Sequence, residues 1–330
     1  MEMRFPPRAR GGTLACMTAQ DIDHIINHIS LRKSRRRWRW IAIILFVIGL
    51  IALIANLAGT GLPERDHVAR IRIDGLITGD QASIDLLQKV TKDDKAKAVI
   101  LRIDSPGGTT AGSEALYDEI RAMSAKKPVV AVMDTVAASG GYIAAIAADH
   151  IVARGNTITG SIGVIFTFPE VSRLLNTVGV TVEELKSGDL KAEPSPYKPV
   201  SEKARAYSMT LVEDGFRWFK GLVVERRKLD AAKVDALADG RVFTGRQAKA
   251  EGLIDELGGE DAALAWLKTE KKLPEGIEVL DRRPPKPVSE ELFGVSIGSR
   301  ALDWLGFPKI AQMAERAKLD GLLVLWHPAL

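Results

Sequence analysis

A serine among small residues stands in Ala137-Ala138-Ser139-Gly140-Gly141-Tyr142, after one apolar run and before another, Ile143 to Ala148. Where a strand gives way to a helix, the Ser139 hydroxyl would lie beside free backbone N–H groups and the positive end of the helix dipole. That place suits either an N-cap or a nucleophile. A second glycine-rich stretch, Asp104-Ser105-Pro106-Gly107-Gly108, ends another apolar run. Glycines in sequence let the backbone turn its N–H groups toward a ligand, and they equally suit a tight strand–helix connection. Together the two stretches say more. N–H groups from Gly108 and Gly140 would converge on the oxygen of a carbonyl attacked by Ser139, the arrangement of an oxyanion hole.

A serine nucleophile needs a base. Of five histidines, His24, His28, His67 and His327 lie toward the ends of the chain, and only His150 falls in its middle. Asp149-His150 would supply two members of a triad or form a solvated turn at a strand start. The other candidate base is a lysine. Free lysine is neutral in only about one molecule in 10³ at pH 7, so a lysine base must be desolvated to work there. The chain's one cysteine, Cys16, excludes an intramolecular disulfide, and no His/Cys cluster has zinc-ligand spacing. The chemistry calls for no metal or organic cofactor.

The elements that must position these residues alternate in type. Val68–Ile77 alternates apolar and polar as a half-buried strand does, and Ser83–Val90 has helical spacing. Ala98–Ile103 reads as a strand, Glu114–Ser124 as a helix with Leu116, Ile120 and Met123 on one face, and Pro128–Met133 as a buried strand. Such closely spaced strand–helix–strand units predict a parallel α/β sheet with crossover helices. Further on, Pro169–Val178 reads as a helix, Val180–Leu185 as a strand, Glu202–Lys228 as a long helix and Leu237–Asp255 as short pieces. From Arg282 the composition turns to RRPPKP, a linker, followed by an apolar-rich appendage with Trp304, Leu322, Leu323 and Trp326.

The net charge of +4 is unevenly placed. Residues 1–40 carry nine Lys and Arg against three Asp and Glu, leaving 37 basic and 39 acidic residues in 41–330. The large domain is therefore no basic nucleic-acid binder. Ile41–Gly59 is an uncharged run of nineteen residues, which as a helix spans roughly 28 Å, close to a bilayer core. Arg35, Arg36, Arg37 and Arg39 precede it with Trp38 and Trp40, so the positive-inside rule places residues 1–40 in the cytoplasm and everything after about residue 60 across the membrane. A cleavable signal peptide, with small residues at Ala55 and Ala58, fits less well, because the basic segment and the apolar run are both too long. The expected organisation is a basic segment (1–40), a transmembrane helix (41–59), a catalytic domain (60–281) and a C-terminal linker with appendage (282–330).

Four motifs in order, Asp104-Ser105-Pro106-Gly107-Gly108, Ser139-Gly140-Gly141-Tyr142, Thr159-Gly160-Ser161-Ile162-Gly163 and Lys186-Ser187-Gly188 with Lys191, resemble peptidase family S49, the signal peptide peptidases of the SppA type. The likeness spans about Val68–Leu267, and one catalytic module behind one anchor resembles the short bacterial form. The resemblance implies a ClpP/crotonase-like α/β fold of repeated β-β-α units and a serine–lysine endopeptidase. It implies Ser139 as nucleophile, Lys191 as general base, Gly108 and Gly140 as oxyanion donors, and Ser161 as the residue that orients the lysine. It also implies remnant signal peptides and other extended peptides as substrates, a bacterial cytoplasmic-membrane location, and a ring- or dome-shaped homo-oligomer, an octamer, in which neighbouring subunits shape each site. Two rivals remain: a crotonase-like acyl-CoA enzyme, in which Ser139 would be idle, and an inactive membrane scaffold.

Overall fold

In the computed structural model the described residues are 38–50, 65–284 and 322–325. Residues 38–50 form an exposed helix, α1. The rest of the expected span, 51–59, lies outside the described residues, and no described helix is long and apolar enough to cross a membrane. The chain divides into two units between Glu64 and Arg65.

In the second unit strands and helices alternate: β1 (His67–Ile77), α2 (Gln81–Lys92), β2 (Ala96–Thr109), α3 (Thr110–Ser124), β3 (Val129–Ala138), α4 (Gly140–Ile146) and β4 (His150–Ala153). Period-2 burial builds the two sides of the sheet. Val99, Leu101 and Ile103 of β2 and Val129, Ala131 and Met133 of β3 join the larger core with residues of α2, α3 and α4. Their alternates Ala98, Ile100, Val130 and Val132 join a second core with Ala263 and Leu267 of α9 (Glu260–Lys271). β1, β2, β3 and β4 pair in parallel, extended by β8 (Glu256–Leu257) beside β4 and β9 (Glu278–Arg282) beside β1. Side chains of Asp80, Thr109 and Ser201 cap α2, α3 and the 26-residue α6 (Glu202–Arg227) by accepting backbone N–H bonds in their first turns.

The site forms where β2 and β3 part. They pair from Val99↔Val129 to Ile103↔Met133, and after an irregularity once more at Ser105↔Ala137. Beyond that β3 pairs with β5 (Ile158–Gly160), which pairs antiparallel with β7 (Val242–Thr244). The end of β2 keeps β1 on one side, through Leu76↔Gly107 and Ile77↔Gly108. On the other side it pairs antiparallel with β10 (Leu322–Leu325), which in turn pairs with β6 (Ile165–Phe166).

Four expectations need correction. The Asp104–Gly108 stretch is strand, because β1 pairs with it to Gly108. The helix expected over Pro169–Val178 is only α5 (Ser172–Thr177). Val180–Leu185 is no strand: Val180, Val182 and Leu185 are exposed, and no strand pairs with them among the described residues. Arg282, expected to open the linker, still pairs with Ile71 at the end of β9.

Candidate active site

Ser139 sits in the one-residue step between β3 and α4, with φ 54° and ψ −116°. A side chain in that region costs about 1–3 kcal/mol and persists only where its surroundings enforce it. They do so here. Its N–H donates to the Gly160 carbonyl at 2.8 Å, and its carbonyl accepts from the Ile143 N–H at 2.9 Å. Seven-residue α4 is too short to be stable alone, yet every residue in it is buried. The Tyr142 hydroxyl fastens it by donating to the Leu253 carbonyl at 2.8 Å, and full burial pushes that phenol's pKa well above its ordinary value. The result is a buried serine, 1% exposed, whose Oγ has no hydrogen-bond partner among the described residues. An unpaired buried hydroxyl costs free energy that a packing role would not require.

The glycines beside it are required by close approach. A Cβ on Gly108 would lie 1.8 Å from the Ile77 carbonyl oxygen, and one on Gly141 would lie 2.6 Å from that of Ser105. Gly107 has φ 110°. Gly140 opens α4, where N–H groups lack intrahelical acceptors. The fold thus brings Gly108, Ser139 and Gly140 to the ends of β2 and β3, where the strands separate. Ser161 joins them: Ala138 pairs with Gly160, so the residues following each, Ser139 and Ser161, are neighbours. Ser161 is also buried with a positive φ of 50°, and its N–H donates to the Arg241 carbonyl at 2.8 Å.

Lys191 is not joined to this group within the chain. It is exposed, in a segment between α5 and α6, and makes no hydrogen bond to Ser139 Oγ. Its neighbours are committed elsewhere. Lys186 bridges Glu184 at 2.8 Å and Glu193 at 3.0 Å, and those carboxylates raise its pKa. Lys198 bridges Glu193 at 2.5 Å. Lys198 and Lys186 together hold the Glu193 carboxyl at a pKa of about 2. Lys191 has no such carboxylate partner among the described residues. The His150 alternative is removed by register. His150 pairs with Val130 at the start of parallel β4, and Ser139 lies nine residues beyond Val130, roughly 30 Å along the strand direction. Its ring stacks on Trp266 at 4.7 Å and meets Glu256 at 3.2 Å. Asp149 accepts the Val129 N–H there.

Several positioning residues escaped the sequence reading. Buried Ser105 donates from Oγ to the Gly75 carbonyl at 2.6 Å and accepts the Gly107 N–H at 3.1 Å, fixing the glycine strand. Asp104 accepts the Val136 N–H at 3.0 Å, and Thr159 donates to the Ala137 carbonyl at 2.6 Å, holding β3 just before Ser139. Their signal was membership in the glycine motifs, which gives no direction to a hydroxyl.

A strained serine at a strand–helix step, flanked by glycine backbone on a parallel sheet, defines a serine-type acyl hydrolase of the ClpP-like α/β class, and residues 70–156 match the Clp protease family. Residues 121–274, which include Ser139, Ser161 and Lys191, match Peptidase family S49. A Synechocystis protein with a provisional protease designation is 38% identical over 232 residues, 70% of this chain and 84% of its own length. The chloroplast serine protease SPPA of Arabidopsis thaliana is 35% identical over 64% of this chain and 33% of its own. An Enterococcus faecium protein provisionally named signal peptide peptidase SppA is 38% identical over 57% and 55%. This chain belongs to peptidase family S49 and is a serine-type protease. It matches only about a third of the Arabidopsis relative's length.

Proposed function

We propose that this protein is a membrane-anchored endopeptidase that uses Ser139 as nucleophile and Lys191 as general base to degrade remnant signal peptides and other extended peptides. The observation that carries the reading is the buried, unpartnered Oγ of a strained Ser139 beside glycine backbone. Neutral lysine takes the Ser139 proton as Oγ attacks the peptide carbonyl, while the Gly108 and Gly140 N–H groups receive the developing oxyanion. The lysine ammonium then gives its proton to the leaving amine, and the lysine, neutral again, takes a proton from the water that hydrolyses the acyl-enzyme. In this reading Ser161, which the β3–β5 register puts next to Ser139, orients the lysine.

Because Lys191 is exposed and apart from Ser139 within one chain, the dyad closes between copies: Lys191 of one subunit enters the site of its neighbour, where it is desolvated. Exposed Leu174 of α5 and exposed Val178, Val180, Val182 and Leu185 on the segment that follows it offer the apolar area such a contact buries. We place the assembly, an octamer, outside the cytoplasm, held by the 41–59 span with residues 1–40 inside; a reporter fused after residue 280 is then active only when it requires export. The test of activity is mass spectrometry of products from a signal-peptide substrate. Wild type gives internal cleavage fragments and Ser139→Ala gives none; equal fragments from both would overturn the reading.

A further inference from the structure

The lysine assigned as base stands between α5 and α6, in a segment with no helix or strand of its own, so no backbone ladder orders it. Lys191 lies in a tight turn: its N–H donates to the Gly188 carbonyl at 3.0 Å, and the Glu193 N–H donates to that of Leu190 at 3.3 Å. Side chains close the base of this turn. Glu193 bridges Lys186 at 3.0 Å, so the chain is clasped on either side of Lys191. Glu193 also bridges Lys198 at 2.5 Å and accepts the Ser195 N–H at 3.2 Å. Glu184 completes the cluster, meeting Lys186 at 2.8 Å and Lys198 at 3.7 Å and accepting from the buried Ser195 hydroxyl at 2.8 Å. The Val171 N–H, at the start of α5, donates to the Pro196 carbonyl at 2.8 Å and ties the cluster to that helix.

Exposed ion pairs fix little, because solvent screens them and long side chains lose freedom in forming them. Asp189–Lys203, at 2.9 Å with both side chains more than half exposed, is of that kind. Glu193 is not: its side chain is only 4% exposed, and that of Lys186 13%. A carboxylate withdrawn from water needs its partners, so both ends of the turn are held where those partners stand. Resting on the assignment of Lys191 as general base, we propose that Glu193 is a positioning residue for that lysine, clasping the turn so that the amine is presented to the neighbouring copy's nucleophile in one arrangement. A base that must be ordered anew at each encounter is out of reach for part of the time, which slows the chemical step and leaves substrate binding alone. The clasp is redundant in its cations. Without Lys186, Lys198 still joins Glu184 before the turn to Glu193 after it; without Lys198, Lys186 still reaches Glu193. Single lysine losses are therefore mild, whereas loss of the Glu193 charge, or of both lysines, opens the turn.

The experiment follows steady-state peptide-ester hydrolysis against pH with the full chain. It compares wild type, Glu193→Gln, the double variant Lys186→Ala with Lys198→Ala, and Lys191→Ala. Glu193→Gln should lower kcat by about tenfold and leave KM within about twofold of wild type, and the double variant should match it. Loose presentation also leaves the amine more in water, so the ionisation seen in kcat/KM should move up toward the free-lysine value of about 10.4. That shift belongs to the base, because Lys198 and Lys186 hold the Glu193 carboxyl at about 2, below the assay range. A merely structural role would reduce the amount of folded protein without moving the midpoint. The double variant keeps Glu193 in place and decides the point where Glu193→Gln does not fold. Wild-type kcat in both variants, or a loss of kcat with the midpoint unmoved, would overturn the positioning role. Full activity in Lys191→Ala would instead overturn the base assignment on which it rests.

Discussion

Ser139 combines features that a merely structural serine lacks: a left-handed φ, nearly complete burial and an Oγ without a partner. Three lysines compete for the base, and their partners separate them. Lys186 and Lys198 are held by Glu184 and Glu193, whereas Lys191 is not. Lys191→Ala should abolish peptide cleavage as fully as Ser139→Ala, because nucleophile and base act as a unit and their losses do not add. Lys191→Arg should be equally inactive, since a guanidinium does not lose its proton at working pH. Lys186→Ala and Lys198→Ala should keep most activity in the same steady-state assay. At Gly108 the expected effect is on stability. A Cβ 1.8 Å from the Ile77 carbonyl must push β1 and β2 apart, so Gly108→Ala should destabilise by about 1–3 kcal/mol or more, seen as a lower Tm.

Among elements, β2 explains most of the site. Its 14 residues outrun its pairing with β3, and the excess carries Gly107 and Gly108 alongside β1. The sequence motif marked these glycines for chemistry but read as a loop, because Pro-Gly-Gly punctuates chains and only tertiary pairing with Leu76 and Ile77 makes it strand. The order of strands and helices from His67 to Ala153 was legible from apolar periodicity. Val180–Leu185 has a strand's composition but no pairing edge, and a single sequence does not reveal which edges are free. β10 was hidden for the same reason: an apolar tetrapeptide announces no partner.

The segment around Lys191 has its own acid response. Glu193 has a folded pKa of about 2, below its ordinary 4.5, so its contribution to stability is present above about pH 4.5 and is lost as pH falls through about 2. Hydrogen exchange over residues 184–198 should therefore accelerate across that interval, and Glu193→Gln should remove the acceleration.

For the whole molecule, the dyad proposed between copies makes a prediction about assembly. Ser139→Ala and Lys191→Ala should each be inactive alone. Co-assembled in equal amounts, they should regain about a quarter of wild-type activity, the share of sites that receive an intact serine from one copy and an intact lysine from the next. Light scattering should find active material only as an oligomer. An active monomer, or no recovery on co-assembly, would return Lys191 to its own chain's site or remove it from the reaction.

The claim beneath all of these is that Ser139 is the nucleophile. Reaction of the full-length protein with a peptidyl phosphonate, followed by peptide mapping in the mass spectrometer, tests it directly. The account predicts one adduct, on Ser139, that is absent from Ser139→Ala and strongly reduced in Lys191→Ala. An adduct on another residue, or labelling of Ser139→Ala equal to that of wild type, would contradict it.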